Sequence, residues 1–118
     1  MTKEEVIRNY QIPADIPDEY ERWGLCGSVK QVMGHWQYDE QDIARLSLIM
    51  MLHDIGLSAQ EVESYMRLTL SQTDTAQQRM NLLNTLRKRM LDEIHLREKQ
   101  LERLDYLRHK LRSLGAKG

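Results

Sequence analysis

Metal ligation, acid–base catalysis and polyanion binding are the chemistries open to histidines, carboxylates and basic side chains, and the 118-residue sequence contains all three residue types. Its four histidines, His35, His53, His95 and His109, form no i, i+4 pair and have no cysteine or carboxylate cluster at ligand spacing. No metal site and no cofactor is expected. The single cysteine, Cys26, excludes an internal disulfide framework and reads as a small loop or core residue in a reducing compartment. No G-x-S-x-G, P-loop or dinucleotide fingerprint occurs, and no Ser, His and Asp arrangement can be argued, so the chain does not read as an enzyme.

What remains is charge, and it is unevenly spread. Residues 1–24 carry three Lys or Arg against six Asp or Glu, a net −3, and residues 25–74 carry three against seven, a net −4. Residues 75–118 carry eleven against five, a net +6. The overall charge of −1 therefore hides an acidic first part and a basic last part. Arg87-Lys88-Arg89 and the later Arg97, Lys99, Arg103, Arg108, Lys110 and Arg112 could form a nucleic-acid face. With Glu98, Glu102 and Asp105 among them, they read better as the solvated outside of a helix laced with local ion pairs.

The elements that must hold these residues follow from local signals. Thr2 with Glu5 is a capping box, opening a helix over Lys3 to about Tyr10. Gln11-Ile12-Pro13 breaks it, and a second short helix from about Ala14 to Trp23 ends at Gly24. Ser28–Val32 and His35–Tyr38 flank Met33-Gly34 and read as a small β-hairpin. A third helix begins near Asp39, runs through Ile43, Leu46, Ile49, Met50 and Leu52, and is stopped by Gly56. Ser58 with Glu61 caps a fourth, about Ala59 to Leu70. Met50 and Met51 cannot both point inward from one helix, so one of them is expected to meet a partner's long helix.

From about Thr75 to Leu114 one long amphipathic helix carries the seam Leu83, Leu86, Met90, Ile94, Leu101, Leu104, Leu107, Leu111 and Leu114, with no Pro or Gly before Gly115. The segment before it has a single modest core, so the seam is expected to pair with the same helix of a second copy, giving a homodimer. No apolar run approaches the roughly 18 residues of a membrane span, and Met1-Thr2-Lys3-Glu4-Glu5 is too polar for a signal peptide. A cytoplasmic location without membrane contact is expected. Only Gly115 to Gly118 follow the seam, so no effector-binding domain is expected, and a signal would act on the first domain, on the coil or through a partner protein.

In order and spacing these pieces resemble the MerR family of bacterial transcription regulators. Tyr20-Glu21-Arg22-x-Gly24-Leu25 resembles the family's Y-E-R-x-G-L, and Gly34 with Tyr38 resembles its G-Y-R-x-Y. Asp42-Ile43-Ala44-Arg45-Leu46 resembles D-L-x-R-L, and Asp54-Ile55-Gly56-Leu57-Ser58 with Glu61-Val62 resembles E-L-G-F-S followed by E-I. The resemblance implies a mostly α fold: a winged helix-turn-helix domain over 1–70 with a small β-hairpin wing, then a coiled-coil dimerisation helix over 75–114. It implies a homodimer on promoter DNA, the coiled coil antiparallel, each winged helix in one of two successive major grooves. Family members that sense metals carry cysteines at the start and just beyond the end of the long helix, and this sequence has none there.

The contact residues depart from the family pattern. Asp15 and Asp18 stand where arginines are usual and Glu19 where an aromatic is usual, so three acids are expected to face phosphate. The wing carries His35-Trp36, and the third helix carries Ser47, Met50, Met51 and His53 at positions often basic in the family. The resemblance leaves Tyr20, Lys30, His35, Trp36 and Arg45 as the implied DNA contacts, with weak binding expected from so few cations. The alternative is a degenerate MerR-like module that docks on a partner protein rather than on DNA.

Overall fold

The computed structural model of the chain describes residues 1–25, 31–32 and 35–117, with the backbone alone for 31–32, 35–36 and 116–117. It divides into two units, Met1–Arg79 and Met80–Gly118.

The first unit is built from four short helices and one strand pair. Helix α1 is Lys3–Tyr10, and both bonds of its capping box form between Thr2 and Glu5. It stops at Gln11, held left-handed at φ 53°, a conformation that non-glycine residues rarely adopt, just before Pro13. Helix α2, Asp15–Arg22, has no side-chain cap. Pro17 lies in its first turn, where a missing N–H breaks no helical bond. Gly24, at φ 70°, ends it in the backbone geometry the sequence predicts.

Strands β1, Gln31–Val32, and β2, His35–Trp36, pair antiparallel with Gln31 opposite Trp36 and Val32 opposite His35. Of the expected hairpin, Ser28–Lys30 and the turn Met33-Gly34 lie outside the described residues, as does Cys26. Tyr38 is not in a strand. The segment around it instead ties down the start of the chain, with its N–H donating to the Met1 carbonyl at 2.6 Å and Gln37 bridging Thr2.

Helix α3 is Glu40–Asp54, and its cap is a second kind of box. The Asp39 carboxylate accepts from the Asp42 N–H at 2.8 Å, and the Asp42 carboxylate accepts from the Asp39 N–H at 3.1 Å. Helix α4, Ala59–Thr69, opens with the Ser58 and Glu61 box. Helix α3 packs between α2 and α4, presenting Leu46, Ile49 and Leu52 to a core shared with Val6, Ile16, Tyr20, Val62 and Met66. Burying each such apolar side chain stabilises the unit by roughly 1.5 to 3 kcal/mol before chain entropy is subtracted. Thr75 closes the connection to the next helix, its hydroxyl donating to the Leu68 carbonyl at 2.6 Å.

Helix α5 runs from Ala76 to Lys117, 42 residues, and makes up all of the second unit that is described. It continues through Gly115, about three residues past the Leu114 that the sequence predicts as its last seam position. A glycine in a helix costs about 1 kcal/mol relative to alanine, too little to break a ladder already set by the preceding turns.

Candidate nucleic-acid interface

In the first unit the face expected to meet phosphate is built by α2, β2 and α3, and its charged side chains are mostly engaged with one another. Lys3 on α1 forms an ion pair with Asp18 and reaches Glu21 at 3.4 Å. The bond to Asp18 is the chief reason its ammonium is held above the usual lysine value. Glu21 also accepts from the Tyr38 hydroxyl. Nε2 of His53 donates to Oε2 of Glu19 at 2.8 Å, and the Glu19 side chain keeps only 13% of its surface exposed. The three acids therefore do not all face outward: Asp15 and Asp18 do, while Glu19 is folded back onto α3.

Tyr20 corrects the sequence reading in a different way. Its ring has no exposed surface, so it cannot lie on a phosphate or a sugar. Its hydroxyl donates to Oδ1 of Asp42 at 2.7 Å and accepts from Nη1 of Arg45 at 3.2 Å. Burial is the main cause pushing this hydroxyl above the usual tyrosine value, so it stays protonated and keeps donating. Asp42 is itself buried, with Oδ1 bonded to Tyr20 and Oδ2 spent on the cap of α3. Arg45 lies 3.9 Å from that carboxylate and keeps 20% of its side chain exposed. The guanidinium is thus braced by a tyrosine and an aspartate, on a side chain that stays one-fifth exposed.

Of the other expected contacts, Lys30 lies outside the described residues, and His35 and Trp36 are described by their backbone on β2. On α3, Ser47 is exposed, Met50 half-buried and Met51 61% exposed. Sequence reasoning missed Lys3 and Asp42 as members of this face, and the pairing of Glu19 with His53. Asp39-x-x-Asp42 carries the spacing of a capping box and could have singled out Asp42. Nothing in the sequence links Tyr20 to a residue 22 positions on.

The second unit presents the expected seam. Met90, Ile94, Leu101, Leu104, Leu107 and Leu111 are 44% to 70% exposed in the single chain, Leu83 is half-buried and Leu86 is buried. Met90, Glu93, Ile94, Arg97, Glu98 and Leu101 line one shallow groove along the helix. Among the described residues no group of three or more His, Cys, Asp or Glu could hold a metal ion, and no helix is long and apolar enough to cross a membrane.

Comparison with known proteins gives a consistent answer. A family model described as "MerR HTH family regulatory protein" matches residues 1–69. No curated protein matches the chain by sequence. Among solved structures, the chain is similar to HiNmlR, a MerR family regulator lacking the sensor domain and bound to promoter DNA, with 22% identity, TM-score 0.64, and coverage of 86% of this chain and 78% of that one. It is similar to a MerR family transcriptional regulator from Listeria monocytogenes at 23% identity and TM-score 0.66, covering 90% and 81%. A MerR family regulator from Bacillus thuringiensis matches at 19% identity and TM-score 0.61, covering 93% and 97%.

Proposed function

The chain belongs to the MerR family of helix-turn-helix regulatory proteins, and from that premise we propose that it works in the cytoplasm as a homodimer on promoter DNA. The β1–β2 pair serves as the wing, α2 is the recognition helix, and α5 pairs the two copies. Lys30, His35, Trp36 and Arg45 are the contacts, and Tyr20 acts through Arg45. The observation that carries the reading is the Arg45 guanidinium, braced by Tyr20 and Asp42 on a side chain that stays one-fifth exposed, in a module matched by the family over residues 1–69. A pre-set arginine loses little side-chain entropy when it meets a phosphate, which suits a surface with few cations.

The acids of α2 fit the same reading. Lys3 partly offsets Asp18 and Glu21, and His53 engages Glu19, so the face is less repulsive to DNA than the −7 net charge of residues 1–74 suggests. Binding to random duplex should still be weak, with a shallow dependence on salt, because few phosphates are neutralised.

The test is a titration of fluorescent promoter duplex, found by footprinting the genome, at two salt concentrations. Arg45→Ala is expected to weaken binding about tenfold. Asp18→Arg is expected to strengthen binding to random duplex and steepen the salt slope by about one ion. If neither variant moves the affinity, the DNA-contact assignment is wrong. If no genomic fragment is bound while Asp18→Arg abolishes capture of a protein partner, the chain is a docking module instead.

A further inference from the structure

The long helix carries a second stripe besides its seam. Lys99 and Arg103 stand two residues before and after Leu101, and Tyr106 stands two residues after Leu104. Two residues turn an α-helix by about 200°, so these side chains lie on the side away from the leucines. Lys110, four residues past Tyr106, continues the same face. All four are exposed in the single chain, and the Lys110 ammonium sits 5.4 Å from the centre of the Tyr106 ring. The sequence reading expects the basic residues of α5 to be laced with local ion pairs. Arg108 does meet Asp105, but among the described residues no carboxylate pairs with Lys99, Arg103 or Lys110, although Glu98, Glu102 and Asp105 are close by on the helix. Lys99 and Arg103 are instead like charges at four-residue spacing, an arrangement that destabilises a lone helix. An anionic partner along the stripe removes that repulsion.

We propose that this stripe, Lys99, Arg103, Tyr106 and Lys110, is a docking surface for the phosphate backbone of duplex DNA, independent of base sequence and separate from the contacts of the first unit. The inference goes beyond the promoter-binding role above and rests on it for the choice of DNA as the partner. Charge separates the two parts of the chain: residues 1–74 sum to −7 and residues 75–118 to +6, so the surplus of cations that a polyanion requires is on α5. From Lys99 to Lys110 the helix rises about 16 Å, a span that matches roughly five phosphates of one strand. Lysine and arginine supply the charge, and the exposed Tyr106 offers its hydroxyl to a phosphate oxygen while its ring holds the Lys110 ammonium. A lipid surface would have to bury the leucine seam, which the homodimer reading already uses. The weak, shallow binding expected of the first unit leaves the stripe to supply the larger share of the salt dependence that the full chain shows.

Anisotropy titrations of the full chain with fluorescent random-sequence duplex, run at several salt concentrations, test this. The triple variant Lys99→Gln, Arg103→Gln and Lys110→Gln is expected to weaken binding at low salt by about tenfold or more and to flatten the salt slope by about three ions. The charge-keeping set Lys99→Arg, Arg103→Lys and Lys110→Arg should hold the affinity within about twofold of the wild type. Because the stripe faces away from the seam, the glutamine set should keep its helix content by far-ultraviolet circular dichroism and the wild-type oligomeric state by sedimentation equilibrium. An unchanged slope in the glutamine set overturns the stripe, as does an equal loss in the charge-keeping set or a change in oligomeric state. Loss of binding to phosphatidylserine vesicles with the duplex titration unchanged overturns it in favour of a membrane surface. These failures leave the promoter reading standing where Arg45→Ala still weakens promoter binding, whereas a wild-type chain that binds no duplex at all overturns both.

Discussion

Val6, Tyr20, Leu46, Ile49, Val62 and Met66 are stripped of water by neighbours from their own chain, whereas Leu101, Leu104, Leu107 and Leu111 on α5 keep more than half of their surface. The two regions also treat charge differently. In residues 1–79 several ionic groups reach across elements, Lys3 on α1 to Asp18 and Glu21 on α2, Glu19 on α2 to His53 on α3, beside local pairs such as Arg67 with Glu63. On α5, Arg108 meets Asp105 and Arg97 meets Gln100, each a neighbour one turn away. One region carries its own core and uses its polar groups to hold its helices in place. The other carries an apolar face that is largely exposed in the single chain, and in the proposed dimer association would supply its stability.

The largest effect that separates the two regions should come from Leu104→Asp with Leu107→Asp. Each leucine is worth roughly 1.5 to 3 kcal/mol when buried, and four are lost per dimer, so the expected outcome is a monomer at micromolar concentration with reduced helix content. The first unit should keep its fold, read from the near-ultraviolet circular dichroism of its tryptophans and tyrosines. Loss of that signal together with the dimer would show that the first unit depends on α5, and the contrast would break down.

A smaller change should come from Asp42→Ala. It removes the reciprocal bond of the α3 capping box, from the Asp39 N–H, and leaves the Tyr20 hydroxyl without its acceptor, costing about 2 to 4 kcal/mol in urea unfolding of the first unit. The matched truncation on the other region, Arg108→Ala, removes an exposed i, i+3 pair and should cost less than about 0.5 kcal/mol. Equal effects would mean that the ionic groups of the two regions do the same work after all.

Acid should produce the smallest effect, confined to the first unit. Hydrogen bonds from Thr2 hold the Glu5 carboxyl below its usual 4.5, and the Asp42 N–H holds Asp39 below its usual 3.8. Groups with depressed values stabilise the fold above their unfolded pKa and lose that contribution as pH falls through the folded one. The first unit should therefore begin to weaken only below about pH 4, followed by thermal melts from pH 6 downward. Weakening that starts near pH 6 would implicate a histidine instead.

How much of this could be read from the sequence depended on distance along the chain. The boxes at Thr2 with Glu5 and Ser58 with Glu61, the bounds of α1 and the seam of α5 are all local, resting on rules that span three or four residues. Asp39 with Asp42 obeys the same rule but uses an aspartate where glutamate is usual, and it passed unnoticed. The family motif places a tyrosine at position 20 and so points to a contact, and only packing shows that its ring is inside. Glu19 was counted with the outward acids for the same reason: its partner, His53, lies 34 residues away on another helix. Gly115 misled because a glycine permits a helix to end without requiring it to.

Asp42 also bears on how tolerant the gene is of error. Both carboxylate oxygens are committed, one to the start of α3 and one to the tyrosine that steadies Arg45. Each amino acid reachable from an aspartate codon by one base change is expected to lose or weaken at least one of these two bonds. Asparagine offers one acceptor and turns an N–H₂ group toward a donor, glutamate is a methylene too long for a buried site, and alanine, glycine, valine, histidine and tyrosine supply no carboxylate. Missense change at this codon is therefore expected to cost stability at a residue buried behind the candidate interface.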